Sequence, residues 1–104
     1  VTIVELGELE DYEPGVPRQV AAGEKMLVAV RVGETLYVLD DRCSHEEFSL
    51  SEGEVDLETA EIECARHGAM FRLCDGAPVS LPATKPVAHY DVTDDGGRLR
   101  VVVP

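Results

Sequence analysis

The chain has 104 residues and a mass of 11.3 kDa, which is one domain, long enough to bury roughly two thirds of its unfolded surface without disulfides or metals as staples. Twenty-one acids against nine bases give a formal charge of -12, the wrong sign for nucleic acid or an anionic membrane surface and the right one for a basic protein partner. No apolar run approaches the roughly 20 residues of a membrane span, and the opening VTIVELGELE lacks the basic-then-apolar order of a signal peptide, so a soluble, cytoplasmic, monomeric protein is expected.

In chain order, alternation with period two dominates. The pattern predicts strands over 1–5, 16–22, 25–32, 35–39, 61–64, 69–73, 87–92 and 98–103, seven to nine in all. LGELEDYEPG can hold only a short helical turn before its Gly and Pro end it. In KMLVAVRV, Met26, Val28, Val30 and Val32 share a face; in TLYVLD, Leu36 and Val38 oppose Tyr37 and Leu39. The intervening Gly33-Glu34 pair signals a type II′ hairpin. VAHYDV, followed by Asp94-Asp95-Gly96-Gly97, reads as the hairpin partner of RLRVVV. Residues 43–76 are poorer in long strands and read as an insertion on a β framework of about 1–42 and 77–104.

That insertion carries two matching fragments, DRCSHEE at 41–47 and ECARHGAMF at 63–71. Three cysteines are too few and too odd a number for a disulfide framework, so metal ligation or a buried thiol fits better. Cys43 and His45 form a Cys-x-His unit, and Cys64 and His67 a Cys-x-x-His unit, with 18 residues between them. Zinc could take all four in one tetrahedron, although common structural zinc sites do not mix one Cys and one His at these spacings in each knuckle. A 2Fe-2S cluster gives the mixture a reason, since each fragment can supply one ligand to each iron. The competing explanation is a chance placement of two buried cysteines and two surface histidines.

These residues resemble a Rieske-type ferredoxin, the small electron carrier of bacterial aromatic-ring dioxygenase systems. The resemblance covers essentially the whole chain. It rests on Cys43-Ser44-His45, SLSEGEV, Cys64-Ala65-Arg66-His67-Gly68 with Phe71 and Asp75-Gly76, and LPATKPV. It implies an all-β fold of antiparallel sheets, one 2Fe-2S cluster per chain, Cys43 and Cys64 on one iron, and His45 and His67 on the other. A loop around Pro82 to Pro86 would shield the cluster. The implied function is one-electron transfer from a flavoprotein reductase to a terminal oxygenase, with no catalysis of its own. The alternatives are a nitrite reductase small-subunit type of module and a structural zinc module.

Departures from the family carry information. Respiratory relatives have a disulfide-forming Cys where this chain has Phe48 and Arg66, and a Ser and a Tyr hydroxyl where it has Ala69 and Phe71. Missing hydrogen bonds leave negative charge on the cluster uncompensated, which predicts a potential low in the Rieske range. Ala65 replaces the usual Pro and Leu81 the usual Gly, changes that bear on loop stiffness. Residues 46–63 hold eight acids (Glu46, Glu47, Glu52, Glu54, Asp56, Glu58, Glu61, Glu63) and no Lys or Arg, either a solvated face or a docking surface beside the cluster. Arg66 reads as a solvent-facing loop side chain, Cys74 as a buried structural thiol and His89 as an ordinary strand residue. Met70 and Phe71 read as core under the cluster loop. Pro78, Pro82 and Pro86 read as loop stiffeners.

Overall fold

Aliphatic residues on both faces of one strand require a layer on each side, and the structure supplies them. The computed structural model describes residues 2–42, 49–64, 68–79 and 85–104. Ten strands occur among them: β1 (Thr2–Gly7), β2 (Arg18–Ala22), β3 (Lys25–Val32), β4 (Thr35–Asp40), β5 (Val55–Asp56), β6 (Glu61–Glu63), β7 (Met70–Arg72), β8 (His89–Tyr90), β9 (Val92–Asp95) and β10 (Arg98–Val103). They form three antiparallel sheets in the orders β1-β10-β9, β2-β3-β4-β8 and β5-β6-β7. The expected all-β class is what the chain adopts. Short 3₁₀ turns at Leu9–Asp11 and Leu50–Glu52 are the helical segments described.

The second sheet is the centre of the molecule because β3 and β4 are apolar on both faces. Leu27, Ala29, Leu36 and Val38 point to one side, where they meet Leu6, Tyr12, Leu99, Val101 and Val103. Val28, Val30 and Leu39 point to the other, where they meet Leu50, Ile62, Cys64, Ala69, Phe71, Leu73 and Val87. Each fully buried large aliphatic side chain contributes about 2 kcal/mol. The alternation read from KMLVAVRV and TLYVLD therefore separates two cores. Met26 ends the run on the surface, 42% exposed.

Turn chemistry sets the registers. Val32 pairs with Thr35 across Gly33-Glu34, and Gly33 alone of that pair has positive φ (61°), as the expected II′ turn demands. Gly96 and Gly97 both have positive φ where Asp95 pairs with Arg98, the pattern of a I′ turn. The partner of β10 is β9, however, and not the whole of 87–92. The chain leaves β4 at Tyr90 and joins β10 from Val92, so the single expected strand is divided between two sheets at Asp91. The division has a physical reason, since Tyr90 donates a 2.7 Å hydrogen bond to Asp40 and is held to β4. Pro17 delays β2 to Arg18, and β1 runs past residue 5 through an irregularity between Glu5 and Gly7. β5, absent from the expected set, has two residues, too few to show alternation.

Candidate metal centre

Cys64 follows β6 directly and is fully buried. Its N–H donates to the Ala69 carbonyl at 2.7 Å, and its own carbonyl accepts from Gly68 N–H at 2.9 Å, so the backbone closes tightly on either side of 65–67. Gly68 has φ 71° with nothing within 4 Å of a notional Cβ, so glycine is needed there for backbone conformation and not for space. β6 and β7 flank this turn in register, Glu63 opposite Met70 and Ile62 opposite Phe71.

The other fragment sits between Arg42 and Ser49, which form an antiparallel bridge, and Leu50 N–H donates to the Asp41 carbonyl at 2.7 Å. Leu50 then enters the apolar cluster that holds Cys64, Ala69 and Phe71. At Gly53 the returning chain meets β6 so closely that a Cβ would lie 1.6 Å from the Glu63 carbonyl oxygen, one residue before Cys64. The chain beyond the first fragment and Cys64 of the second are thus anchored in one apolar cluster.

A third anchor belongs to the proline-bearing stretch. Pro78 bridges Phe71 and Val79 N–H donates to the Met70 carbonyl at 2.8 Å, while Gly76 and Val87 come together through a 2.9 Å Val87 N–H to Gly76 carbonyl bond. Asp75 braces the turn, accepting from Arg72 and from Ala77 N–H at 3.0 Å. The Ala77 amide, and then the Arg72 guanidinium, hold its carboxyl below the usual range.

Of the expected ligands, Cys43, His45 and His67 lie outside the described residues, as do Glu46, Glu47, Phe48, Ala65, Arg66, Leu81 and Pro82. Among the described residues no group of three or more His, Cys, Asp or Glu could hold a metal ion. Phe71 is fully buried, as expected of core, and so is Ala69, while Met70 is only half-buried. His89 is an exposed strand residue paired with Leu39. Cys74, expected as a buried thiol, is instead exposed: it lies beyond the end of β7 at Arg72, in the turn where Leu73 is the residue that enters the core. Asp41, unremarked in the sequence, is a buried carboxylate at the root of the first fragment; an Asp two residues before a Cys gives no signal of that.

The site suits a thiolate-bound cluster. A fully buried cysteine in a tight turn, backed by Leu50, Ala69 and Phe71, offers a soft ligand in a water-poor setting of the kind iron–sulfur sites use. Comparison with known proteins agrees. Residues 2–91 match the Rieske [2Fe-2S] domain. The chain is 39% identical over 92 residues to ferredoxin CarAc of Metapseudomonas resinovorans, covering 88% of this chain and 84% of that one. It superposes on the ferredoxin of carbazole 1,9a-dioxygenase from Nocardioides aromaticivorans IC177 with a TM-score of 0.94, 36% identity and full coverage of both chains. A ferredoxin solved in a complex of reduced oxygenase and oxidized ferredoxin in carbazole 1,9a-dioxygenase matches with a TM-score of 0.88 and 36% identity, over 96% of this chain and 92% of that one.

The fold and the buried thiol at its anchored turn define an iron–sulfur electron carrier. The chain belongs to the Rieske 2Fe-2S family, as a ferredoxin of the aromatic dioxygenase type with one 2Fe-2S cluster per chain. It is an electron-transfer component, as its ferredoxin relatives are.

Proposed function

We propose that Cys43 and Cys64 bind one iron of the cluster and His45 and His67 the other, and that the protein passes single electrons from a flavoprotein reductase to a terminal, ring-hydroxylating oxygenase in the cytoplasm. The observation that carries this reading is Cys64, fully buried in a backbone-closed turn and packed with Leu50, three residues beyond the first fragment. When bound, the cluster supplies a one-electron couple. The oxygenase as acceptor is supported by the carbazole 1,9a-dioxygenase complex, whose ferredoxin is 36% identical to this chain. No helix among the described residues is long and apolar enough to cross a membrane, which is compatible with the cytoplasm.

The domain arrangement follows the same logic: one domain of residues 1–104, with framework at about 1–42 and 77–104 and the cluster-binding insertion at about 43–76. Its support is a third sheet drawn wholly from 55–72, between β4 and β8 of the framework sheet. Around Cys64 the chain's own contribution is to exclude water through Leu50, Ile62, Ala69 and Phe71, and to offer no hydroxyl at 69 or 71. That favours the low potential expected from the sequence. The nitrite reductase small-subunit and zinc readings have no comparable support.

Glu46 and Glu47 lie outside the described residues, and the described acids of 52–63 differ in their distance from Cys64. Glu52 and Glu54 are exposed and Glu63 half-exposed at the Cys64 end of β6, where Glu63 N–H donates to the Glu54 carbonyl at 2.8 Å. Glu58 lies across the β5–β6 turn, roughly 10 to 15 Å further along at the rise of a strand. Asp56 caps that turn, accepting from Glu58 N–H at 2.9 Å and Thr59 N–H at 3.3 Å. The docking surface is therefore Glu52, Glu54 and Glu63, facing a basic partner surface.

Stopped-flow reduction of an oxygenase of this class by the reduced protein tests the reading. Glu54→Lys should slow the second-order rate about tenfold at low salt and lose most of that effect at high salt, while Glu58→Lys should change it by less than about threefold. Equal effects of the two variants would remove the docking surface, and failure of the reduced protein to transfer an electron would remove the carrier role.

A further inference from the structure

Among the described residues Asp41 is the one charged side chain that is buried, 3% exposed. Burying a carboxylate is costly unless its oxygens are hydrogen-bonded, and here both accept bonds. Oδ1 accepts from Ser51 N–H at 2.7 Å, and Oδ2 accepts from Ser51 Oγ at 3.1 Å and Gln19 Nε2 at 2.5 Å. Its carbonyl accepts from Leu50 N–H at 2.7 Å, and its N–H donates to the Met26 carbonyl at 3.0 Å.

Asp41 precedes 43–48, whereas Leu50 and Ser51 follow it, so three of these five bonds tie the two ends of that segment together. The other two tie the joined ends to β2 and β3 through Gln19 and Met26. An apolar residue could fill the space, but only a side chain with two acceptor oxygens can hold the Ser51 amide, the Ser51 hydroxyl and the Gln19 amide at once. A ligand pair needs its backbone held at fixed spacing.

We propose that Asp41 is a positioning residue for the cluster: its carboxylate and carbonyl clasp the ends of 43–48 and fix the placement of Cys43 and His45. This rests on the proposed ligand assignment. Losing one charge-assisted hydrogen bond should weaken the clasp by about tenfold.

The test uses the cluster-loaded protein and two readouts, the rate of iron release to a chelator and the electron paramagnetic resonance line shape after reduction. Asp41→Asn should release iron about tenfold faster than wild type and broaden or shift the signal, and Ser51→Ala should do so to a smaller extent. Val101→Ala, in the core on the far side of the central sheet, is the control for general destabilisation. Equal iron release by Asp41→Asn and Val101→Ala, with an unaltered signal in both, would overturn the clasp. If Asp41→Asn does not fold, Ser51→Ala decides by the same criterion, because it keeps the carboxylate and its backbone bond. Cys43→Ser separates the two proposals. A native cluster in that variant would overturn the ligand assignment, while loss of the cluster there with a silent Asp41→Asn would overturn the clasp alone.

Discussion

Gly53→Ala strikes the point where the two halves of the metal centre touch. The added Cβ would lie 1.6 Å from the Glu63 carbonyl oxygen, 2.8 Å from its carbon and 3.2 Å from the Leu50 carbonyl oxygen. Since these atoms belong to the backbone, no side-chain rotation relieves the contact, and Glu63 must retreat by about 1.4 Å to restore even a 3.0 Å separation. That displacement breaks the 2.8 Å Glu63 N–H to Glu54 carbonyl bond and strains the 2.9 Å Gly53 N–H to Leu50 carbonyl bond, together about 2 kcal/mol. Disturbed packing of Leu50, Ile62 and Cys64 adds about 1 to 3 kcal/mol. The expected loss of about 3 to 5 kcal/mol corresponds to a fall in Tm of at least about 12 °C for a domain of this size. Gly68→Ala, with φ 71° but open space, should lose only about 1 to 2 kcal/mol. Thermal unfolding by circular dichroism, with iron counted per chain, measures both. If Gly53→Ala stays within about 1 kcal/mol of wild type and keeps its iron, the close approach of the two anchors is not what the structure depicts.

Other consequences follow from single residues. Phe71→Tyr or Ala69→Ser should raise the reduction potential, by about 60 mV for each hydrogen bond worth a tenfold step in a one-electron couple; protein-film voltammetry reads it, and an unchanged or lower potential contradicts the explanation of the low value. Burial pushes the Tyr12 hydroxyl up from its ordinary value near 10 while it donates to the Leu6 carbonyl at 2.8 Å. Burial, and then donation to Asp40, does the same for Tyr90. A raised folded value means that this stability is complete below about pH 10 and lost as pH rises through the folded value. Denaturant titrations should therefore show a decline beginning near pH 10 that is shallower in Tyr12→Phe; an equal slope in both proteins refutes it. Met26→Lys, at an exposed position on β3, should leave stability within about 0.5 kcal/mol of wild type.

What could be read in advance follows the periodicities. β3 and β4 are legible because each is long enough to alternate, and Gly33 announces their turn. Residues 87–92 mislead because alternation marks a strand without saying which sheet it joins, and the Tyr90 to Asp40 bond that divides it spans 50 residues. Cys74 misleads because it falls in the turn after β7, where strand alternation no longer says which side chain faces the core. The Cys/His fragments could be singled out as a candidate metal motif because their spacing is local. Asp41 is not, because its partners Gln19 and Ser51 are brought to it by the fold.

Pulsed electron paramagnetic resonance on the reduced protein, grown with isotopically labelled histidine, reads the proposed ligand assignment most directly. Couplings from two histidine nitrogens are predicted, one vanishing in His45→Cys and the other in His67→Cys. A reduced cluster with no histidine coupling, or one whose two couplings survive both substitutions, would contradict it.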